Sequence, residues 1–295
     1  QPQAAELERG LWRQLARLSL RPSNLIAGTP RDLLVWYWRR FEIDNLKTVL
    51  RSVHYQEAWP VVEPIIVDLG DLTSISWRSL AESGSVPAMV DRLQEGPYRR
   101  ALDQAMPRYQ REHSLFVLEA SLDLAYSRRL RSLINSLHGR DRREAEAYLG
   151  FQLDVRNLLW AYRYRIFARL SPEEILNYTL HRGLRVDADV VREIALGAPL
   201  VETVRALWGD RLPGMAQLQA LPERQALTRL EVDCQRYLAD RARHARGGYP
   251  LHFGTLLAYL ILLEAETQDL TTIIEGRSFA WPMERIEPFL VGNRG

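Results

Sequence analysis

Phe41-Glu-Ile-Asp-Asn-Leu-Lys-Thr-Val-Leu-Arg51 is the stretch on which the fold turns, because degraded forms of it recur twice more along the chain. Glu42, Asn45 and Leu46 set the pattern. Asp154, Asn157 and Leu158 repeat it 112 residues on, and Glu266, Asp269 and Leu270 repeat it after another 112. On a helix, residues three apart share a face, so each acid and its Asn or Asp companion flank one apolar row, as Glu42 and Asn45 flank Leu46, Val49 and Leu50. A carboxylate there is partly buried and needs partners. Each acid is expected to hydrogen-bond inside its own bundle with that companion. Glu42, Asn45, Asp154, Asn157, Glu266 and Asp269 are therefore read as structural signature residues. The three acids fall in different copies, so their spacing gives no shared catalytic site.

The repeat extends outward in both directions. Upstream lie Leu7-Glu8, Leu118-Glu119 and Leu230-Glu231, at offsets of 111 and 112. Downstream, Pro60, Pro172 and Pro282 are each followed ten or eleven residues later by Gly70, Gly183 or Gly292. Short solenoid repeats have periods of about 20–50 residues, so a period near 112 is the size of a small domain. Three copies of one helical module follow, at 1–96, 97–208 and a shortened 209–295.

Local signals agree with an all-α fold. Leu7, Leu11, Leu15 and Leu18 fall at helical spacing in Glu6–Leu20. Pro30–Val53 reads as one helix capped by Thr29. Pro64 argues against a clean helix after Trp59-Pro60, and Gly70 reads as a left-handed C-cap. Leu72–Glu82 and Val86–Gln94 read as short helices. Tyr98–His138 reads as one long helix on the apolar row Leu115, Leu118, Leu122, Tyr126, Leu130 and Leu133. Asp141–Phe167 repeats the second helix of the module. The third copy has helices at Leu227–Arg246 and Leu256–Gly276 around a Gly247-Gly248 break. No alternating strand pattern persists.

Composition narrows the function classes. A hydrophobic content of 46% and a charged content of 26% are ordinary for a globular chain, and a net charge of +2 gives no argument for nucleic acid. Cys234 is the only cysteine, so no internal disulfide forms, as in a reducing cytosol. The longest apolar run is Leu256–Leu263, against about 20 residues for a spanning helix, so any membrane role is expected to run through a partner. No signal peptide is read at the start, and the lack of an initiator Met reads as processing or truncation. No phosphate loop, Gly-x-Gly-x-x-Gly turn, zinc cluster, His-x-x-x-His or Glu-x-x-His spacing is found. No cofactor and no metal are expected. The six scattered histidines read as surface residues.

Lys47 is the only lysine, and arginine supplies the remaining basic side chains. Arginine forks suit carboxylate and phosphate partners. Arg128, Arg129, Arg131, Arg140, Arg142 and Arg143 make the region before and after His138-Gly139 locally basic. They read either as a solvated face beside Asp141, Glu144 and Glu146 or as a docking patch. Arg140, Arg142, Arg143, Arg241, Arg243 and Arg246 are the candidate partner-binding residues, because the first copy does not match these turns in charge.

The acid-x-x-Asn-Leu pattern, with Arg51 and Arg163 six residues after each Asn, resembles the C subunit (also called d, or AC39) of V-type and archaeal-type rotary ATPases. Tyr259-Leu-Ile-Leu-Leu-Glu-Ala-Glu-Thr-Gln-Asp-Leu is similar to that family's closing signature, and Glu119, Leu122, Asp123 and Tyr126 resemble its second-unit helix. The resemblance covers nearly the whole chain. Two positions depart from it: Asp269 replaces the usual Asn, and Glu275 stands where Arg51 and Arg163 stand. Family members also usually carry further helices before the first Leu-Glu position, which are not seen ahead of Leu7. The resemblance implies a three-module, funnel-shaped, pseudo-threefold helical protein with no catalytic residues. Such a protein is a rotor socket between the central stalk and the membrane proteolipid ring, passing torque between ATP turnover and proton or sodium transport. Its place would be cytoplasmic, at the inner face of the membrane. The alternative is a free helical scaffold that binds an acidic or phosphorylated protein through Arg128–Arg143.

Overall fold

A computed structural model describes residues 2–245 and 252–292, and among these every regular element is helical. In chain order the α-helices are α1 (Pro2–Leu20), α2 (Gly28–Trp38), α3 (Arg40–His54), α4 (Trp59–Val62), α5 (Trp77–Ala81), α6 (Val86–Arg92), α7 (Pro97–Glu112), α8 (Leu115–Ser136) and α9 (Gly139–Ala145). They continue with α10 (Phe151–Arg163), α11 (Pro172–Asn177), α12 (Ala188–Ala195), α13 (Leu200–Trp208), α14 (Met215–Ala220), α15 (Glu223–His244), α16 (Phe253–Ser278) and α17 (Met283–Ile286). The chain divides into two compact units. One comprises 9–27 and 31–130; the other comprises 1–8, 28–30 and 131–295.

In the unit that holds 31–130, α3 packs on α4, α5 and α6, and α6 packs on α7. Leu46, Val49 and Leu50 of α3 are fully buried, as the apolar row requires. Two indole hydrogen bonds fix the aromatic layer: Trp36 Nε1 donates to the Tyr126 carbonyl at 3.0 Å, and Trp38 Nε1 donates to the Ala16 carbonyl at 2.9 Å. Tyr126 returns its own hydroxyl hydrogen to the Tyr37 carbonyl. In the unit that holds 131–295, α15 and α16 run against each other, α10 packs on α12 and α15, and α9 packs on α16. Leu149, Leu158, Tyr162, Ile175, Leu227, Leu230 and Leu257 form the core there.

Several boundaries differ from the sequence expectation for physical reasons. The helix read as Pro30–Val53 starts at Gly28 and is pinched at Arg39, whose N–H bonds the Trp36 carbonyl three residues back. Thr29 lies inside the first turn and makes no cap bond; Ala27 holds the cap position. Pro64 does end α4, in a 3-10 turn at Glu63–Ile65. Gly70 is left-handed, at φ +52°, but it opens a 3-10 turn rather than closing a helix. Of Leu72–Glu82 only α5 is α-helical, and Leu93 leaves α6 extended.

The single helix expected over Tyr98–His138 is two, because His113 turns left-handed (φ 51°) and separates α7 from α8. Helical backbone over 139–168 contains two π-helical turns, Glu146–Gly150 and Tyr164–Ala168, on either side of α10. A capping box formed by Ser171 and Glu174 starts α11, and Asp187 caps α12. Each such cap stabilises its helix by roughly 1 kcal/mol. The Gly247-Gly248 break lies outside the described residues.

Candidate functional site

The Asn and Asp companions of the signature acids bond to backbone. Asn45 Nδ2 donates to the Val67 carbonyl at 2.8 Å while its Oδ1 accepts the Val67 N–H at 2.9 Å. Asn157 grips Leu180 in the same two-ended way, at 2.9 and 2.7 Å, and its Nδ2 also donates to the Val186 carbonyl. Asp269 has only acceptors to offer, and it takes the Val291 and Gly292 N–H groups at 2.5 and 2.7 Å. The three grips span 22, 23 and 22 residues. Each ties a long helix to the segment that follows its proline. A buried strip of irregular chain must satisfy its own peptide groups, and these side chains supply the missing partners.

The acids three residues earlier do not bond to these companions, contrary to the sequence expectation. Glu42 is buried and accepts from Thr73 Oγ1 at 2.7 Å and Tyr98 Oη at 2.5 Å, with Arg39 at 3.7 Å. Burial and then the Glu42 charge hold the Tyr98 phenol well above its ordinary range. Asp154, 1% exposed, accepts the Leu184 and Arg185 N–H groups at 2.7 and 2.8 Å. Burial raises its carboxyl above the usual range, against the opposing pull of those N–H groups and of Arg131. Glu266 is exposed and makes no hydrogen bond or ion pair among the described residues, because no described element covers that face of α16.

The two glycines beyond these prolines explain themselves by close approach. A Cβ on Gly183 would lie 2.6 Å from Asp154 Oδ1 and closer still to the Val186 carbonyl. A Cβ on Gly292 would lie 2.7 Å from Asp269 Oδ2.

A second set of contacts joins the Arg positions to the Leu-Glu positions. Arg51 holds Glu119 with Nε and Nη2 at 2.7 and 2.8 Å, and Arg163 Nη2 holds Glu231 at 2.7 Å. Both span 68 residues. Glu275 occupies the corresponding place on α16, and its charge, after burial, raises the carboxyl of Glu8. Sequence reading does not pair these six residues, although the constant span of 68 is a signal that could. It also misses fully buried Asp233, which binds Arg229 at 2.9 and 3.0 Å and Arg236 at 3.4 Å. Arg236 in turn donates to the Pro288 and Leu290 carbonyls. The i, i+4 spacing of Arg229 and Asp233 is the signal there.

The candidate partner-binding arginines are spread over several settings. Arg140 contacts Glu144 at 3.9 Å and His252 Nε2 at 3.0 Å, and Arg142 pairs with Glu146 at 3.0 Å. Arg241 lies over the Tyr148 ring, and Arg243 pairs with Asp240. Arg143 is exposed with no partner among the described residues. Arg246 lies outside the described residues. Among the described residues, no group of three or more His, Cys, Asp or Glu could hold a metal ion, and no helix is long and apolar enough to cross a membrane.

Among the described residues, fold and contacts together define an all-helical protein in which Asn45, Asp154, Asn157 and Asp269 hold backbone. A family model described as ATP synthase (C/AC39) subunit matches residues 1–289, and the chain belongs to that family. It is similar to the A-type ATP synthase C subunit of Halobacterium salinarum, at 27% identity over 265 residues, covering 88% of this chain and 74% of that one. It is also similar to the A-type ATP synthase C subunit of Methanosarcina mazei, at 24% identity over 284 residues, covering 96% and 76%. The counterpart from Halorubrum lacusprofundi is 27% identical over 272 residues, covering 90% and 75%.

Proposed function

We propose that this chain is the non-catalytic central-rotor subunit of an A/V-type ATPase. It forms the socket that joins the central stalk to the membrane proteolipid ring and carries torque between ATP turnover and proton or sodium transport. The family match along 1–289 carries this reading. The chain is built as three copies of one helical module, at 1–96, 97–208 and 209–295, in a funnel-like pseudo-threefold arrangement. The three backbone grips at nearly one span and the two Arg–Glu bonds at 68 residues support that organisation. The Glu8–Glu275 proximity supports a cyclic order, since Glu275 and Glu8 take the places of the third Arg and its acceptor. The protein sits in the cytoplasm and reaches the membrane through its partners. Its arginine turns serve as partner contacts, and the Arg143 side chain has no partner among the described residues.

The test is co-expression with the stalk and proteolipid subunits from the same source, followed by reconstitution in vesicles. Co-purification of this chain with both, and loss of ATP-driven ion transport when it alone is omitted, is the expected result. Purification of a fully coupled complex without it would overturn the reading.

A further inference from the structure

A groove of about 620 Å³ opens in the unit that holds 31–130, and its lining is chemically one-sided. Helix α7 contributes Pro97, Arg100, Ala101 and Gln104, which at i, i+3, i+4 and i+7 form one helical face. Helix α8 contributes Ala125, Arg128 and Arg129, and α2 contributes Trp36. Trp36 is locked in place: its indole N–H is bonded to the Tyr126 carbonyl, and its ring stacks on Tyr98 and Tyr126. No Asp or Glu lines the groove. Arg100, Arg128 and Arg129 are exposed, and their guanidinium groups carry no hydrogen bond or ion pair among the described residues. Other arginines of this chain do meet carboxylates or carbonyls, as at Arg51, Arg163, Arg165, Arg229 and Arg236.

We propose that the groove between α7 and α8 is a docking site for an acidic amphipathic helix of a partner protein. Apolar side chains of that helix rest on Trp36, Ala101, Ala125 and Pro97, while its carboxylates meet Arg100, Arg128 and Arg129. The preformed aromatic wall and the small alanines admit a helix face, and planar guanidinium forks favour carboxylates. Three cations around an apolar centre, on a chain of net charge +2, make no extended basic field of the kind nucleic acid requires. The inference deepens the rotor reading and rests on it, so the partner belongs to the same assembly.

The experiment places a photoreactive benzoylphenylalanine at Gln104 in the chain co-expressed with stalk and ring subunits, and maps the adduct by mass spectrometry. An adduct on a helix rich in Asp and Glu is expected. The double change Arg100→Glu with Arg128→Glu should lower its yield at least tenfold at unchanged thermal melting. The milder pair Arg128→Ala with Arg129→Ala should lower it less, with the residual yield falling further at high salt. No adduct in a co-purifying complex, an adduct on lipid, nucleic acid or a segment without acids, or a yield indifferent to the reversals would overturn the groove assignment alone. Failure of the wild-type chain to co-purify would overturn the rotor role and this inference with it.

Discussion

Glu231 accepts a 2.7 Å hydrogen bond from Arg163 across 68 residues, the same span that separates Glu119 from Arg51. Where the third such bond would fall, Glu275 faces Glu8 instead, and the Glu8 carboxyl is raised by burial and then by that like charge. A carboxyl whose folded pKa is raised binds its proton more tightly in the fold than in the unfolded chain. Its contribution is fully present below the ordinary Glu range near 4.3 and is lost as pH rises through the raised value.

Glu275→Arg is therefore expected to stabilise the protein at neutral pH and to reduce that loss between acid and neutral pH, the part due to burial of Glu8 remaining. The gain should be about 0.2–1 kcal/mol, as for other exposed ion pairs. Thermal melts of both proteins from pH 4 to 7 check it; parallel melting curves at every pH would refute the contact.

Asp154→Leu should destabilise rather than block an interface. It strands the Leu184 and Arg185 N–H groups, at about 1–3 kcal/mol for each buried donor left unpaired. Urea titration reads the loss. A variant with wild-type stability that no longer assembles would make Asp154 an interface residue.

Asn157 and Asp269 occupy like positions yet should not be interchangeable. Asn157→Asp turns an acceptor toward the Leu180 and Val186 carbonyls, and Asp269→Asn turns a donor toward a backbone N–H. Both single changes should cost stability, again about 1–3 kcal/mol. Denaturant midpoints decide it, and either variant melting at or above wild type would count against the grip it alters.

Gly183→Ala should lower the melting temperature by several degrees, since the added carbon meets Asp154 and the Val186 carbonyl. The matched change Gly84→Ala meets no atom within 4 Å, though its φ of +81° costs backbone strain, so it separates crowding from conformation.

Cys234 should resist thiol reagents in the native protein. It is buried, and burial followed by the Asp233 charge pushes its thiol far up, so little thiolate exists to react. Titration with an aromatic disulfide should find no reactive thiol natively and one per chain in guanidinium.

Much of the fold was legible because its core positions are periodic: Leu46, Val49 and Leu50 are all fully buried, as is Leu158. The signature acids and amides were legible as positions. Their partners were not, since Val67, Leu180 and Val291 offer only peptide groups, which leave no mark in residue type. The break at His113 was hidden for a related reason. A new apolar row opens only two residues later, at Leu115, and a left-handed His lacks the Gly or Pro that usually marks a helix end. Glu266 had the right sequence position, but burial depends on what packs over α16, which spacing along one helix does not encode.

Lys47 is the sole lysine, its Nζ lies 2.5 Å from Asp123 Oδ1, and only 17% of its side chain is exposed. Lysine-directed acylation thus has a single internal address, shut whenever α3 and α8 are joined. The rate at that one peptide becomes a clock for the opening of this contact, readable inside a large assembly without any engineered label. The arginine-rich remainder of the surface stays silent to the same reagent.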